Sequence, residues 1–157
     1  MAISKPIRDY LDSQRVPFET IHHRRDYTAQ ETAADTHTKG QDFAKTVILW
    51  ADNQYYMVVV PATRRIDFDK VKQALKAEKV ALASEEEITS ICPDCEVGAM
   101  PPLGPLFNLP VLISHHLTYD HMITFNGGTH EDVIRMTYRD FDELVKPKVL
   151  DLTMEPD

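Results

Sequence analysis

The sequence predicts an α+β domain in which short helices flank a mixed, mainly antiparallel β-sheet or partial barrel. Three observations carry that expectation. Apolar runs of strand length alternate irregularly with helix-capping signals. Two of those runs flank a short polar turn and read as an antiparallel hairpin. The composition, 43% hydrophobic and 27% charged over 157 residues, suits one globular domain spanning 1–157 with a sizeable core.

The elements follow in order. Ser4 can cap a first helix that places Ile7, Tyr10 and Leu11 on one face, and Val16-Pro17-Phe18 ends it. Phe18 to Ile21 is a short strand. Thr28-Ala-Gln-Glu31 is a capping box opening a helix towards Thr36. After a turn at Lys39-Gly40-Gln41 comes the strongest strand signal, Ala44 to Trp50. Ala51 to Gln54 turns the chain into a second strand, Tyr55 to Val60. Asp67 or Asp69 caps a helix with Phe68, Val71 and Leu75 on one side. Val80 to Ala83 is a strand, and Ser84-Glu-Glu-Glu87 is a second capping box. Cys92 to Pro110 is mostly loop, with five of the ten prolines. So long an irregular segment usually serves function or is disordered. Val111 to Ile113, Met122 to Phe125 and Val133 to Tyr138 are strands. Asp140 can cap a last helix through Phe141, Leu144 and Val145, and the tail after about residue 147 is expected to be poorly ordered.

Bulk properties narrow the function. No apolar run is long enough to span a bilayer, and the N-terminus turns polar at once, so the expected setting is cytoplasmic, with no membrane partner. The net charge of -8 and pI near 5.3 argue against broad binding to nucleic-acid backbone. Local basic stretches remain at His22 to Arg25, at Arg64-Arg65, and at Lys70, Lys72, Lys76 and Lys79. Each also reads as an ordinary solvated face.

Three segments could carry chemistry. Lys45 shares one strand face with Phe43, Val47 and Leu49. A charged amine there either snorkels to water or has a partner or a task. Gly98-Ala-Met-Pro101-Pro102 is a stiff loop whose glycine permits close backbone approach to a ligand, with N–H groups available to an oxyanion. Its plain alternative is a structural turn. Asn126-Gly127-Gly128-Thr129-His130 joins two strands at a sheet edge. Asn126 can donate and accept, and His130 can fill space, orient or titrate. It also reads as a simple hairpin loop.

Taken in this order, the Phe43-Ala-Lys45-Thr-Val-Ile-Leu strand, the G-x-x-x-P loop from Gly98 to Pro102 and the Gly-rich segment ending at His130 resemble the YbaK/prolyl-tRNA-synthetase-associated family of aminoacyl-tRNA deacylases. The resemblance runs from about Ile3 to Val145. It implies a trans-acting editing hydrolase that cleaves the ester of misacylated tRNA. The Asn-Gly-Gly-Thr-His segment looks more like the alanine-clearing type, which points to Ala-tRNA(Pro). The alternatives are Cys-tRNA(Pro) or another small aminoacyl-tRNA, or a non-catalytic module that holds a tRNA end or a nucleotide. Lys45, Gly98 and Pro102 would form the catalytic set, with Lys45 as an electrostatic anchor. Thr46, Asn126, Gly127, Gly128 and His130 would bind substrate. The implied partners are the acceptor end of aminoacyl-tRNA and an associated synthetase, with no cofactor and no metal.

Cys92-Pro-Asp-Cys95 supports a further rival, a metal or redox protein. Zinc would need two more ligands, for which His115, His116 and His121 are conceivable. A redox pair would need a strand-to-helix setting. Two ordinary reduced thiols are the expectation.

Overall fold

A computed structural model describes residues 3–155. One eight-stranded sheet runs β1-β7-β6-β2-β3-β5-β8, with β4 added on β2. The strands are β1 (Glu19–His22), β2 (Phe43–Ala51), β3 (Gln54–Pro61), β4 (Val80–Leu82), β5 (Val111–Ser114), β6 (Met122–Asn126), β7 (Asp132–Thr137) and β8 (Lys148–Leu150). Around them lie α1 (Lys5–Ser13), α2 (Ala29–Asp35), α3 (Phe68–Leu75), α4 (Glu85–Ile91), α5 (Gly104–Phe107) and α6 (Tyr138–Val145). The sheet is mixed and open: β2 pairs with β6, β3 with β5, and β5 with β8 in parallel, while the other pairings are antiparallel. No helix among the described residues is long and apolar enough to cross a membrane.

Local chemistry sets most element starts. Thr28 and Ser84 both close capping boxes, with Glu31 and Glu87 returning the bond. Asp67 caps α3 by accepting from the N–H groups of Asp69 and Lys70. The β2–β3 hairpin pairs from Ala44↔Pro61 to Ala51↔Gln54. Its turn holds Asp52 and Asn53 at positive φ, which short polar side chains tolerate.

Two expectations are corrected. Thr137, not Asp140, caps α6: its hydroxyl accepts from the Asp140 N–H, so β7 stops one residue early and Tyr138 begins the helix. From Lys148 to Thr153 the tail is ordered. β8 pairs with β5, Leu152 and Thr153 are buried, and Thr153 bridges to Ile66. These partners lie far away in sequence, so no local pattern in the tail announces them.

The strand period of two splits β2 between the two faces of the sheet. Ala44 and Ile48 join the main core with Met57, Val59, Phe125, Ile134, the α1 residues Ile7 and Leu11, and Phe141 of α6. On the opposite face Phe43 packs with Ala33, Ala62 and Val133. Further along that face Leu49 packs with Val58, Val60, Val71 and Leu152. Lys45 falls between these two smaller clusters. The strand beside it is also interrupted. β6 accompanies β2 only at Phe43↔Thr124 and Ala44↔Phe125, and β4 takes over only at Leu49. Among the described residues, the edge of β2 from 45 to 47 has no strand neighbour, and a cleft opens there.

Candidate functional site

The cleft has a volume of about 550 Å³ and is lined by Lys45, Thr46, Val47, Ala62, Gly98, Asn126 and the entry to α2, Tyr27 to Gln30. It brings together one residue or more from each of the three segments singled out in the sequence. Lys45 lies opposite Val60 on β3 and is half-buried. Its amine makes no ion pair with any described residue. Burial, with the like charge of Arg65 second, holds its ammonium below the usual lysine range.

Two further residues of the cleft lining carry polar atoms without partners. The Thr46 hydroxyl and the Asn126 side-chain oxygen are both buried and make no hydrogen bond with any described residue. Buried polar atoms are nearly always paired, so two orphans in one cleft mark a place where a ligand or water completes the bonding. Gly98 meets the cleft at φ +88°, a conformation that favours glycine. Its N–H donates only to the Met100 thioether at 3.3 Å, a weak acceptor, which leaves a lightly engaged backbone donor at the wall.

The Gly98 loop and the glycine-rich segment are one structure. Glu96 N–H donates to Gly128 O at 2.8 Å, and Gly128 N–H to Ala99 O at 2.9 Å. The His130 N–H donates to the Glu96 carboxylate at 3.0 Å. His130 Nε2 lies 2.9 Å from Val97 O; a carbonyl only accepts, so this nitrogen carries the proton. His130 thus stands behind the cleft wall. Its ring is in contact range of the position a Gly98 side chain would occupy, 3.4 Å away, and packs beside Tyr27 at 5.5 Å between centroids. Gly127 and Gly128 lie under α1, where a Cβ would collide with Ile3 and Ile7. They, His130 and the buried Pro102 lie outside the cleft lining.

Sequence reasoning missed Tyr27, Thr28, Ala29 and Gln30. The capping box foretold a helix start there, but nothing in it said that the helix would open onto Lys45. It also missed the clamp beneath them, in which the Arg25 guanidinium grips Glu96. Burial opposes ionisation of Glu96, but Arg25 and the His130 N–H outweigh it and hold the carboxyl below its usual range.

The cysteines lie elsewhere. Both are free thiols in or against the main core. Cys92 is the C-terminal cap of α4, the end of a helix that disfavours a thiolate. Burial pushes Cys92 up to about 11, and burial with the charges of Cys92 and Asp94 pushes Cys95 up to about 12. The one group of three metal-capable side chains found among the described residues is His23, Asp26 and Asp35, and it contains neither cysteine. Arg24 already engages both of its carboxylates, pairing with Asp35 at 2.6 Å and Asp26 at 3.4 Å. His23 Nδ1 donates to the Arg24 carbonyl at 2.6 Å.

Residues 23–144 match the family model for the aminoacyl-tRNA editing domain. Among curated proteins, the chain is 30% identical over 86 residues to a proline–tRNA ligase of Bacillus cytotoxicus, covering 55% of this chain and 15% of the ligase. It is 28% identical over 97 residues to the proline–tRNA ligase of a Geobacillus species, covering 62% of this chain and 17% of the ligase. The matched stretch is thus about a sixth of those ligases. Among solved structures, one described as a candidate trans-editing enzyme for prolyl tRNA synthetase superposes with a TM-score of 0.85. It is 20% identical over 98% of this chain and all of its own. A structure from work on computational epitope grafting onto scaffold proteins superposes with a TM-score of 0.87 at 18% identity, over 97% of each chain. At these identities the superpositions show a shared fold.

Proposed function

Because this chain belongs to the aminoacyl-tRNA editing domain family, we propose that it is a cytoplasmic trans-editing hydrolase that cleaves the ester of misacylated tRNA, with Ala-tRNA(Pro) as substrate. The observation that carries this is the half-buried, unpaired Lys45 amine in a cleft that also holds the orphan oxygens of Thr46 and Asn126. A cation among unsatisfied polar groups suits a polar, anionic ligand end, such as a ribose with its phosphate. The ligase relatives and the candidate trans-editing enzyme support a tRNA partner in the proline system and an associated synthetase.

In the proposed reaction Lys45 anchors the terminal ribose and phosphate. The Gly98 N–H, lightly held by Met100, turns to the ester carbonyl and stabilises charge on its oxygen. Pro102 stiffens that loop. Water attacks the carbonyl carbon. The free hydroxyl of the terminal ribose takes the water's proton while passing its own to the departing ribose ester oxygen, so the ester C–O bond breaks and free amino acid and tRNA result. Thr46 and Asn126 bind the polar part of the substrate. Gly127, Gly128 and His130 fix the wall that limits amino-acid size. Size alone discriminates weakly, since one methylene is worth only about 1–3 kcal/mol. Rejection of the prolyl ester therefore rests on steric exclusion by that wall.

The test is hydrolysis of Ala-, Cys-, Ser- and Pro-tRNA by the wild type and by Lys45→Ala. Release of alanine that disappears in the variant is the expected result. Preference for cysteine would move the substrate to Cys-tRNA(Pro), binding without hydrolysis would make the chain a tRNA-end module, and full activity in Lys45→Ala would remove Lys45 from the site.

A further inference from the structure

We propose that Tyr27 is a stacking platform for the terminal nucleobase of the RNA whose aminoacyl end enters the cleft. This rests on the aminoacyl-RNA reading above and adds where the base goes. Tyr27 lines the cleft, yet its side of the molecule is open and the residue is 71% exposed. An aromatic ring left in water gains little for the fold.

The ring is nevertheless held. The Arg25 guanidinium lies 5.6 Å from its centroid, and Arg25 Nε donates to its hydroxyl at 3.2 Å. The His130 ring packs beside it, tilted by 42°. Glu96 ties these two neighbours together, since it accepts from both the Arg25 guanidinium and the His130 N–H. Arg25 and His130, from two distant segments and joined through Glu96, thus preset a ring that the core does not use. Preorganisation of this kind lowers the entropy lost when a ligand binds.

The placement specifies the ligand's shape. Lys45, Thr46 and Asn126 supply polar partners suited to a ribose and ester. The rim offers a flat apolar face backed by a guanidinium, which suits the planar π-system of an unstacked base. Base–aromatic stacking accepts any base, so Tyr27 would add affinity without reading sequence.

Binding of two uncharged RNAs tests this without any need for hydrolysis. One is an acceptor-stem microhelix of a proline tRNA with its single-stranded CCA end, and the other is the same microhelix with an abasic 3′ nucleotide. Fluorescence anisotropy on the wild type should show the base-bearing RNA binding about tenfold more tightly. Tyr27→Phe should keep that ratio within about twofold, while Tyr27→Ala and Tyr27→Leu should bring it to about one. Leucine keeps the apolar bulk, and thermal melting of both variants separates loss of the ring from loss of the fold. A wild-type ratio of one, or an unchanged ratio in folded Tyr27→Ala or Tyr27→Leu, would overturn the proposal. A wild type that hydrolyses no charged tRNA would count against the deacylase reading alone, because the binding ratio still decides the platform.

Discussion

Replacing Lys45 with methionine should stabilise the protein while impairing its proposed reaction. Methionine nearly matches lysine in length and fills the same space between Val47 and Val60 without a charge. The Lys45 amine has no anionic partner among the described residues, and burial together with Arg65 holds its pKa below that of the unfolded chain. The sign follows from linkage. Below the folded pKa both states carry the proton, and the folded state bears the whole cost of the charge. As pH rises through the folded value towards the usual lysine range, the folded state sheds its proton first and the cost disappears. The side chain is only partly buried, so screening leaves only a modest part of a full burial penalty. A gain of about 0.5–1 kcal/mol is expected at pH 7, or about 1–4 °C in Tm for a chain of this size. Calorimetry of wild type and variant from pH 7 to 10 should show that difference shrinking with pH. Loss of a charged hydrogen bond to substrate should lower kcat/KM for Ala-tRNA about 10- to 100-fold. A variant that melts below the wild type at pH 7 would refute the reasoning, because the amine would then have a favourable partner in the fold.

Two further outcomes follow from the core. With Cys92 held at about 11 and Cys95 at about 12, neither thiol should react with a disulfide reagent at pH 8 until denaturant is added; rapid native labelling would show a thiolate that this packing excludes. Leu152→Ala should cost about 2–5 kcal/mol in chemical denaturation, as expected for a fully buried leucine, whereas a cost near zero would detach the C-terminal segment from the core.

What the sequence discloses is the local half of the structure. Thr28-x-x-Glu31 and Ser84-x-x-Glu87 each carry their whole helix-start signal within four residues, and both caps form. The β2–β3 hairpin is equally local. β8 depends on β5, more than thirty residues earlier, and Thr153 on Ile66. Three residues after a proline show no periodicity that could reveal such partners. The site divides the same way. Lys45 is conspicuous because its neighbours at a spacing of two are apolar. Its significance depends on β6 leaving β2 after Ala44 and β4 arriving only at Leu49. That gap is a property of three strands and has no signature in any one of them. Likewise, His130 is visible as a residue of a turn, whereas its position behind Gly98 and Tyr27 comes from the pairing of Gly128 with Glu96 and Ala99.

The same pairing accounts for how an acidic chain could serve an RNA end. Part of the basic surface that the sequence offers as RNA contacts is already committed. Arg24 is bound to Asp35, Arg25 to Glu96, and Lys70 to Asp151. Lys45, Arg64 and Arg65 make no ion pair with any described residue, and all three lie on or just beyond the β2–β3 hairpin. A protein with a net charge of -8 gains little from long-range attraction to a phosphate backbone. Under the proposed function its contacts would therefore be few and close, made to the tip of the acceptor arm. Within the proposed function, a single desolvated cation, two unpaired oxygens and one rim aromatic are the kind of contacts that recognise an aminoacyl end while leaving the body of the tRNA to another partner.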